Sequence, residues 1–191
     1  MTKQTLKEVC VLLGGGIDST ALIPFYLSRG DIIQGIHFDY GQPSGEAERR
    51  AICEVGIHYD VPVKSIELGL PIVSVSGEYL CRNAVLLLGV ASILDSTEGR
   101  LSIGIHSGTP YYDCSPSFLT DIQRLLDGYF SGTVQVEAPF LEFTKRDVFD
   151  FCLRHRVPVD LTFSCERSNN SCGECSSCKE RITLGEGYEG F

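Results

Sequence analysis

Short apolar runs alternate along this chain with stretches of helical period. Glu8-Val9-Cys10-Val11-Leu12-Leu13 is a brief apolar run ended by Gly14-Gly15-Gly16, the pattern of a strand buried in a parallel sheet. Ser19 to Ser28 reads as a helix closed by Gly30, and Asp31 to Phe38 as a second strand. Glu46 to Ile57 puts Ala47, Ala51, Ile52 and Val55 on one side of a second helix. Val61 to Leu68 is a third strand, and the aperiodic stretch from Gly69 to Tyr79 is a loop. Asn83 to Leu94 is a strongly apolar helix, and Leu101 to His106 a fourth strand. Ser115 as cap and Pro116 in the first position open a helix that runs to Leu126. Val134 to Ala138 is a short fifth strand, and Thr144-Lys145-Arg146-Asp147 opens a helix to Arg154 with a capping box that has Asp in the usual Glu place. The alternation predicts an α/β fold, an open parallel five-stranded sheet with helices on both faces. Residues 1–160 are expected to form this domain, with a cysteine knuckle and tail at 161–191 packed on it.

Composition narrows the partners. A chain of 191 residues suits one domain with a real core. Its formal net charge of −9 argues against general electrostatic binding of nucleic acid. No apolar run is long enough to span a membrane. Met1-Thr2-Lys3-Gln4 leads straight into a strand-like segment without a signal-peptide pattern, so the cytoplasm is the expected location. The apolar helix from Asn83 to Leu94 suits the core or a homodimer interface equally.

Ligands of parallel α/β sheets bind beyond the carboxyl ends of the strands, so the loops there carry the candidate chemistry. Leu13-Gly14-Gly15-Gly16-Ile17-Asp18-Ser19-Thr20 joins the first strand to the first helix. Consecutive glycines let the backbone approach an anion closely. The helix behind them offers free N–H groups and a positive dipole end, and Ser19 and Thr20 add hydroxyls. The loop lacks the Gly-Lys-Ser ending of the P-loop fingerprint, and a plain tight turn is the competing reading. Arg82 can form a bidentate fork with an anion. Lys145 stands in the first turn of its helix, where its charge opposes the dipole, which points to an anionic partner.

Four of the nine cysteines cluster as Cys165-x6-Cys172-Gly173-x-Cys175-x2-Cys178. The spacing can give Zn2+ four thiolates in a closed, structural site, with Gly173 permitting the turn. An iron–sulfur cluster is the rival occupant, and a brown colour would reveal it. Cys10, Cys53, Cys81 and Cys152 read as packing residues, and His37, His58, His106 and His155 receive no catalytic role.

Gly15-Gly16-Ile17-Asp18-Ser19 resembles the Ser-Gly-Gly-x-Asp-Ser loop of the PP-loop ATP pyrophosphatases, with Gly14 where that superfamily has serine. In order along the chain, Asp39-Tyr40-Gly41-Gln42, Arg82-Asn83-Ala84, Asp113-Cys114-x-Pro116-x-Phe118, Thr144-Lys145 and Thr162-x-Ser164-Cys165 are similar to the 7-cyano-7-deazaguanine synthases of that superfamily. The resemblance implies the adenine nucleotide alpha hydrolase-like fold and the cofactors ATP, Mg2+ and Zn2+. It implies adenylation of a carboxylate, amidation with ammonia and dehydration to a nitrile. It places ATP on Leu13 to Thr20, with Gly15, Gly16 and Ser19 at the pyrophosphate and Asp18 at magnesium. Lys145 and Arg82 then serve anions in the transition state, and Tyr40, Gln42, Arg82, Asn83, Asp113 and Cys114 the small-molecule carboxylate. The segment before Arg82 is shorter than in that family, which leaves open a paralogue that modifies another acid such as a peptide or protein C-terminus. A sulfur-transfer or tRNA-modifying relative fits the acidic charge poorly, and a non-catalytic zinc-binding interaction protein with a decayed ATP site is the third reading.

Overall fold

A computed structural model describes residues 8–70, 72, 75 and 78–185. In chain order the elements are β1 (Glu8–Leu12), α1 (Ile17–Leu27), β2 (Ile32–Asp39), α2 (Gly45–Tyr59), β3 (Val63–Glu67), α3 (Arg82–Ser92), β4 (Gly99–Ser102), α4 (Pro116–Phe130), β5 (Val134–Glu137), α5 (Lys145–Arg154) and α6 (Ser176–Gly185). Short 3-10 turns occupy Tyr112–Cys114 and Val159–Leu161. All five strands are parallel, in the order β3-β2-β1-β4-β5. The expected sheet and its alternating helices are thus present. Among the described residues no helix is long and apolar enough to cross a membrane.

Period-two alternation along β1 divides the core. Val9, Val11 and Leu13 enter one cluster with α1, α2 and α5, including Ala21, Ile52, Val148 and Phe149. Cys10 and Leu12 face the other, with Leu87 and Val90 of α3 and Phe118, Ile122 and Leu126 of α4. A strand covered on both faces reads as a continuous apolar run because neither face meets water.

Where elements differ from expectation, local chemistry explains the change. Strand pairing of β4 ends at Ser102 rather than His106, because the chain leaves the ladder at Gly104 to run against the first turn of α1. Helix α4 continues past Leu126 to Phe130 and stops where Ser131 takes a left-handed φ of 53°. Helix α6, for which the residue pattern gave no expectation, starts within the cysteine knuckle and runs into the tail, and its buried residues are only Cys178 and Leu184. So sparse an apolar stripe leaves little periodic signal. The loop expected at 69–79 lies partly outside the described residues, and Val75 and Glu78 form an antiparallel bridge within it.

A polar network ties β4, β5 and the residue before β2 to α1. Arg100 donates to both carboxylate oxygens of Glu137 at 2.7 and 3.1 Å and to Asp31 at 2.7 Å. The buried Tyr26 hydroxyl donates to Glu137 at 2.7 Å, and the guanidinium lies over the Tyr26 ring. Replacing Arg100 by Met would leave two shielded carboxylates without their cation. We expect a loss of about 3 kcal/mol, read as a lower midpoint in urea unfolding.

Candidate active site and metal centre

The sheet order makes the gap beyond the carboxyl ends of β1 and β4 the point where successive connections diverge to opposite sides, the usual ligand position in such sheets. A cavity of about 350 Å³ lies there, within the range of small-molecule sites.

Its floor is the glycine loop. Gly15 has φ +76°, and an added Cβ would press on Ala51 and the Glu48 backbone at 3.2 Å. Gly16 caps α1 without a side-chain hydrogen bond, leaving first-turn N–H groups for a ligand. The Gly14 N–H donates to Ser19 Oγ at 3.2 Å, and that hydroxyl donates to the Gly16 carbonyl at 3.2 Å. Leu13, Gly14, Gly16, Ile17, Asp18 and Ser19 line the cavity, whereas Thr20 is buried beneath and Gly15 serves as the turn.

A charged cluster stands beside this loop. Gly104 lets the strand extension approach α1 so closely that a Cβ there would lie 2.9 Å from the Asp18 carbonyl carbon and the Ser19 nitrogen. Asp18 is thereby held beside Lys145, with Nζ 2.5 Å from Oδ2. The capping box at Thr144 fixes the start of α5 and so the base of Lys145. Glu180 of α6 lies 3.7 Å from the same ammonium. The other carboxylate oxygen, Oδ1 of Asp18, is buried without a hydrogen-bond partner among the described residues, and His106 Nε2 is 3.9 Å away. A buried, unsatisfied carboxylate oxygen fits a cation site.

The opposite wall comes from α3 and the loop after β4. Asn83 donates from Nδ2 to the Asp113 carbonyl at 3.1 Å. Arg82 packs over the Tyr79 ring and hydrogen-bonds Tyr40, whose phenol burial pushes up. Burial likewise raises the Cys114 thiol, so the sulfur stands in the wall as a neutral group. Tyr40, Arg82, Asn83 and Cys114 line the cavity together with the glycine loop. Gln42 and Asp113 are outside the lining. Gln42 accepts from the Tyr40 N–H at 2.9 Å and donates to Phe38 and Glu48, so its amide shapes the turn. Asp113 buttresses Asn83.

Sequence reasoning left several lining residues without a role. His37 donates from Nδ1 to the Leu13 carbonyl at 3.0 Å, and His106 from Nδ1 to the Ser107 carbonyl at 2.6 Å. Both line the cavity, and their position at strand carboxyl ends was the available signal. Ser177, Glu180 and Arg181 also line it. They share one face of α6 at i, i+3, i+4 spacing.

The four clustered cysteines converge. Their sulfurs all lie within 4.8 Å of one another, and Cys172 Sγ is 3.9 Å from Cys178 Sγ. Tetrahedral zinc with Zn–S bonds of about 2.3 Å places sulfurs roughly 3.8 Å apart, so the donor set fits that ion. Gly173 makes the turn with φ +71°, and N–H groups of Cys175 and Cys178 donate to the sulfurs of Cys172 and Cys175, both at 3.4 Å. Burial opposes ionisation of Cys165, but backbone hydrogen bonds from Arg167, Cys172 and Ser168 prevail and lower its thiol to about 6. A thiolate is the form a metal binds.

A sequence model of the family described as Queuosine biosynthesis protein QueC matches residues 8–79 and 71–189. The 7-cyano-7-deazaguanine synthase of Nautilia profundicola is 27% identical over 220 residues, covering 96% of this chain and 94% of that protein. That of Methanoculleus marisnigri is 30% identical over 208 residues, covering 92% of each. A solved structure, a predicted subunit of tRNA methyltransferase from Methanocaldococcus jannaschii, aligns with a TM-score of 0.53 at 16% identity over 80% of this chain and 74% of that one. That likeness bears on the fold alone.

The close approach at Gly104 yields a direct prediction. Gly104→Ala must push α1 away from the strand extension, costing about 1–3 kcal/mol. We expect a lower melting temperature together with weakened ligand binding in the cavity, both measurable by thermal shift with and without nucleotide.

Proposed function

The chain belongs to the QueC family of queuosine-biosynthesis proteins, and from that premise we propose that it uses ATP to convert the carboxylate of 7-carboxy-7-deazaguanine, or of a closely related acid, into a nitrile. The observation that carries the reading is the pairing of a glycine-loop anion site with a half-free carboxylate. Asp18 keeps one oxygen on Lys145 and one without a hydrogen-bond partner among the described residues, in a cavity shared with Arg82 and Asn83.

A carboxylate is a poor electrophile because its leaving group would be oxide. In the proposed first step an acid oxygen attacks the α-phosphorus of ATP. An O–P bond forms, the bond to the β-phosphate bridge breaks, and pyrophosphate leaves. Ammonia then adds to the acyl carbon, a proton is lost, and AMP departs to leave the amide. A second ATP adenylates the amide oxygen, and loss of AMP and protons from nitrogen gives the nitrile.

The demands on the protein are positioning and charge stabilisation. N–H groups that follow Gly14 in the loop and at the start of α1 cradle the β- and γ-phosphates, with Ser19 bracing the loop through the Gly14 N–H. Lys145 supplies positive charge at the loop and Arg82 at the far wall, where Tyr40 and Asn83 orient the acid. Asp18 is the ligand assigned to Mg2+, which when bound neutralises the leaving pyrophosphate. The four cysteines would hold Zn2+ with a full set of thiolates, which suits a structural role.

Two measurements test this. Asp18→Ala is expected to lower ATP-to-AMP turnover at least about 100-fold while the circular dichroism spectrum stays native. Survival of turnover would overturn the loop assignment. In a mass-spectrometric assay with 7-carboxy-7-deazaguanine, ATP, magnesium and ammonia, we expect the acid to be replaced by the nitrile. An unchanged acid alongside intact ATP binding would redirect the reading to another carboxylate, such as a peptide or protein C-terminus.

A further inference from the structure

The cysteine centre and the glycine loop are joined by an unbroken series of short contacts. Cys178 is the third residue of α6, so the same sulfurs that would hold the metal also fix the first turn of that helix. One turn further on, Arg181 reaches back with its guanidinium. Nη1 donates to Thr162 Oγ1 at 2.8 Å and to Ser164 Oγ at 3.2 Å, and Nη2 donates to the Val159 carbonyl at 2.7 Å. These three acceptors belong to the segment that leads into Cys165. In the middle of that segment the Phe163 N–H donates to the Gly15 carbonyl at 2.8 Å, and a Cβ on Gly16 would lie 3.7 Å from the Phe163 carbonyl oxygen. The segment is therefore gripped from one side by Arg181 and rests on the glycine loop with the other.

We propose that Arg181 is a positioning residue that couples metal occupancy to nucleotide affinity, by clamping Val159–Ser164 against Gly15 and Gly16 only while the cysteine centre holds its ion. The proposal rests on the nucleotide reading of the loop given above. Its physical content is as follows. Gly15 sits at a positive φ with little room around it, so the loop conformation that aims N–H groups at phosphates depends on what presses on it. A planar guanidinium with fixed N–H directions can hold three oxygens in one geometry, which a flexible ammonium cannot. Loss of the metal frees the first turn of α6, the guanidinium loses its anchor, and the segment over the loop loosens. Glu180 would move with α6 and release Lys145 from its second carboxylate neighbour.

Linkage makes the idea measurable without following catalysis. If bound metal raises nucleotide affinity by some factor, bound nucleotide must raise metal affinity by the same factor. The experiment loads the full chain with zinc and measures equilibrium transfer of zinc to a metallochromic chelator, with and without saturating ATP and in the absence of magnesium. Inorganic tripolyphosphate serves as the control for chelation by phosphates. Wild-type protein is expected to hold zinc about 5- to 100-fold more tightly with ATP. Arg181→Gln is expected to bind zinc at full stoichiometry yet show no such protection, and Arg181→Lys to recover only part of it. Should Arg181→Gln fail to fold, Arg181→Lys against wild type decides, since it keeps the charge and loses the fork. Full protection in either variant, or none in a wild-type chain that binds ATP by calorimetry, overturns the proposal. A wild-type chain that binds no ATP removes the nucleotide reading itself, and the inference with it.

Discussion

The site depends on a backbone-to-backbone contact. Where β4 would otherwise extend, Gly104 lets the chain lie against the Asp18–Ser19 peptide at a distance no side chain tolerates. That approach has three consequences. It ends the strand ladder at Ser102, so the segment Ile103 to His106 lines a cavity instead of continuing the sheet. It seats the first turn of α1 at the carboxyl ends of β1 and β4. It also carries Asp18 into reach of Lys145 and His106, which belong to distant parts of the sequence.

The ion pair formed there has a chemical logic. An ammonium in the first turn of α5 opposes the helix dipole, an unfavourable position unless an anion faces it. Asp18 is that anion. The pair is only partly shielded, each side chain being about 20% exposed, so water and incoming phosphates compete with it readily. In the proposed reaction, triphosphate oxygens would face the ammonium and a divalent cation would face the carboxylate, so the one pair serves both parts of the ligand.

The sheet, its helices and the location of the site were readable in the residues because their signals are local. Glycine runs after apolar strands, a Ser-Pro cap at 115–116 and the capping box at Thr144 all act within a few positions. Cys165 to Cys178 was readable for the same reason. Less legible was everything that needs the tertiary fold. Gly104 looks like an ordinary strand glycine until α1 is placed on it. Gln42 and Asp113 stand among substrate-like residues, but their hydrogen bonds go to the protein, and only coordinates distinguish a lining side chain from one that braces a neighbour. Helix α6 hid because it buries little, and its contribution to the cavity comes from a polar face, which carries no hydrophobic period.

Gly14 stands where the superfamily pattern has serine, and its surroundings measure the consequence. Nothing lies within 4 Å of a Cβ placed there, so the position is glycine without steric need. The Gly14 N–H meanwhile turns inward to Ser19 Oγ, so that hydroxyl braces the loop rather than projecting from it. A hydrogen bond to a charged group contributes roughly 1.5–3 kcal/mol, and 1.4 kcal/mol is about tenfold in affinity. One serine fewer therefore weakens a phosphate grip by about one to two orders of magnitude. The remaining donors are backbone N–H groups and a helix end, which substitution of side chains cannot remove, and Lys145 adds a full charge. An anion site built mainly from main chain survives such a loss. Under the proposed nucleotide reading, glycine at position 14 is therefore compatible with phosphate binding, and the loop conformation held by Gly15, Gly104 and Phe163 matters more than any single hydroxyl.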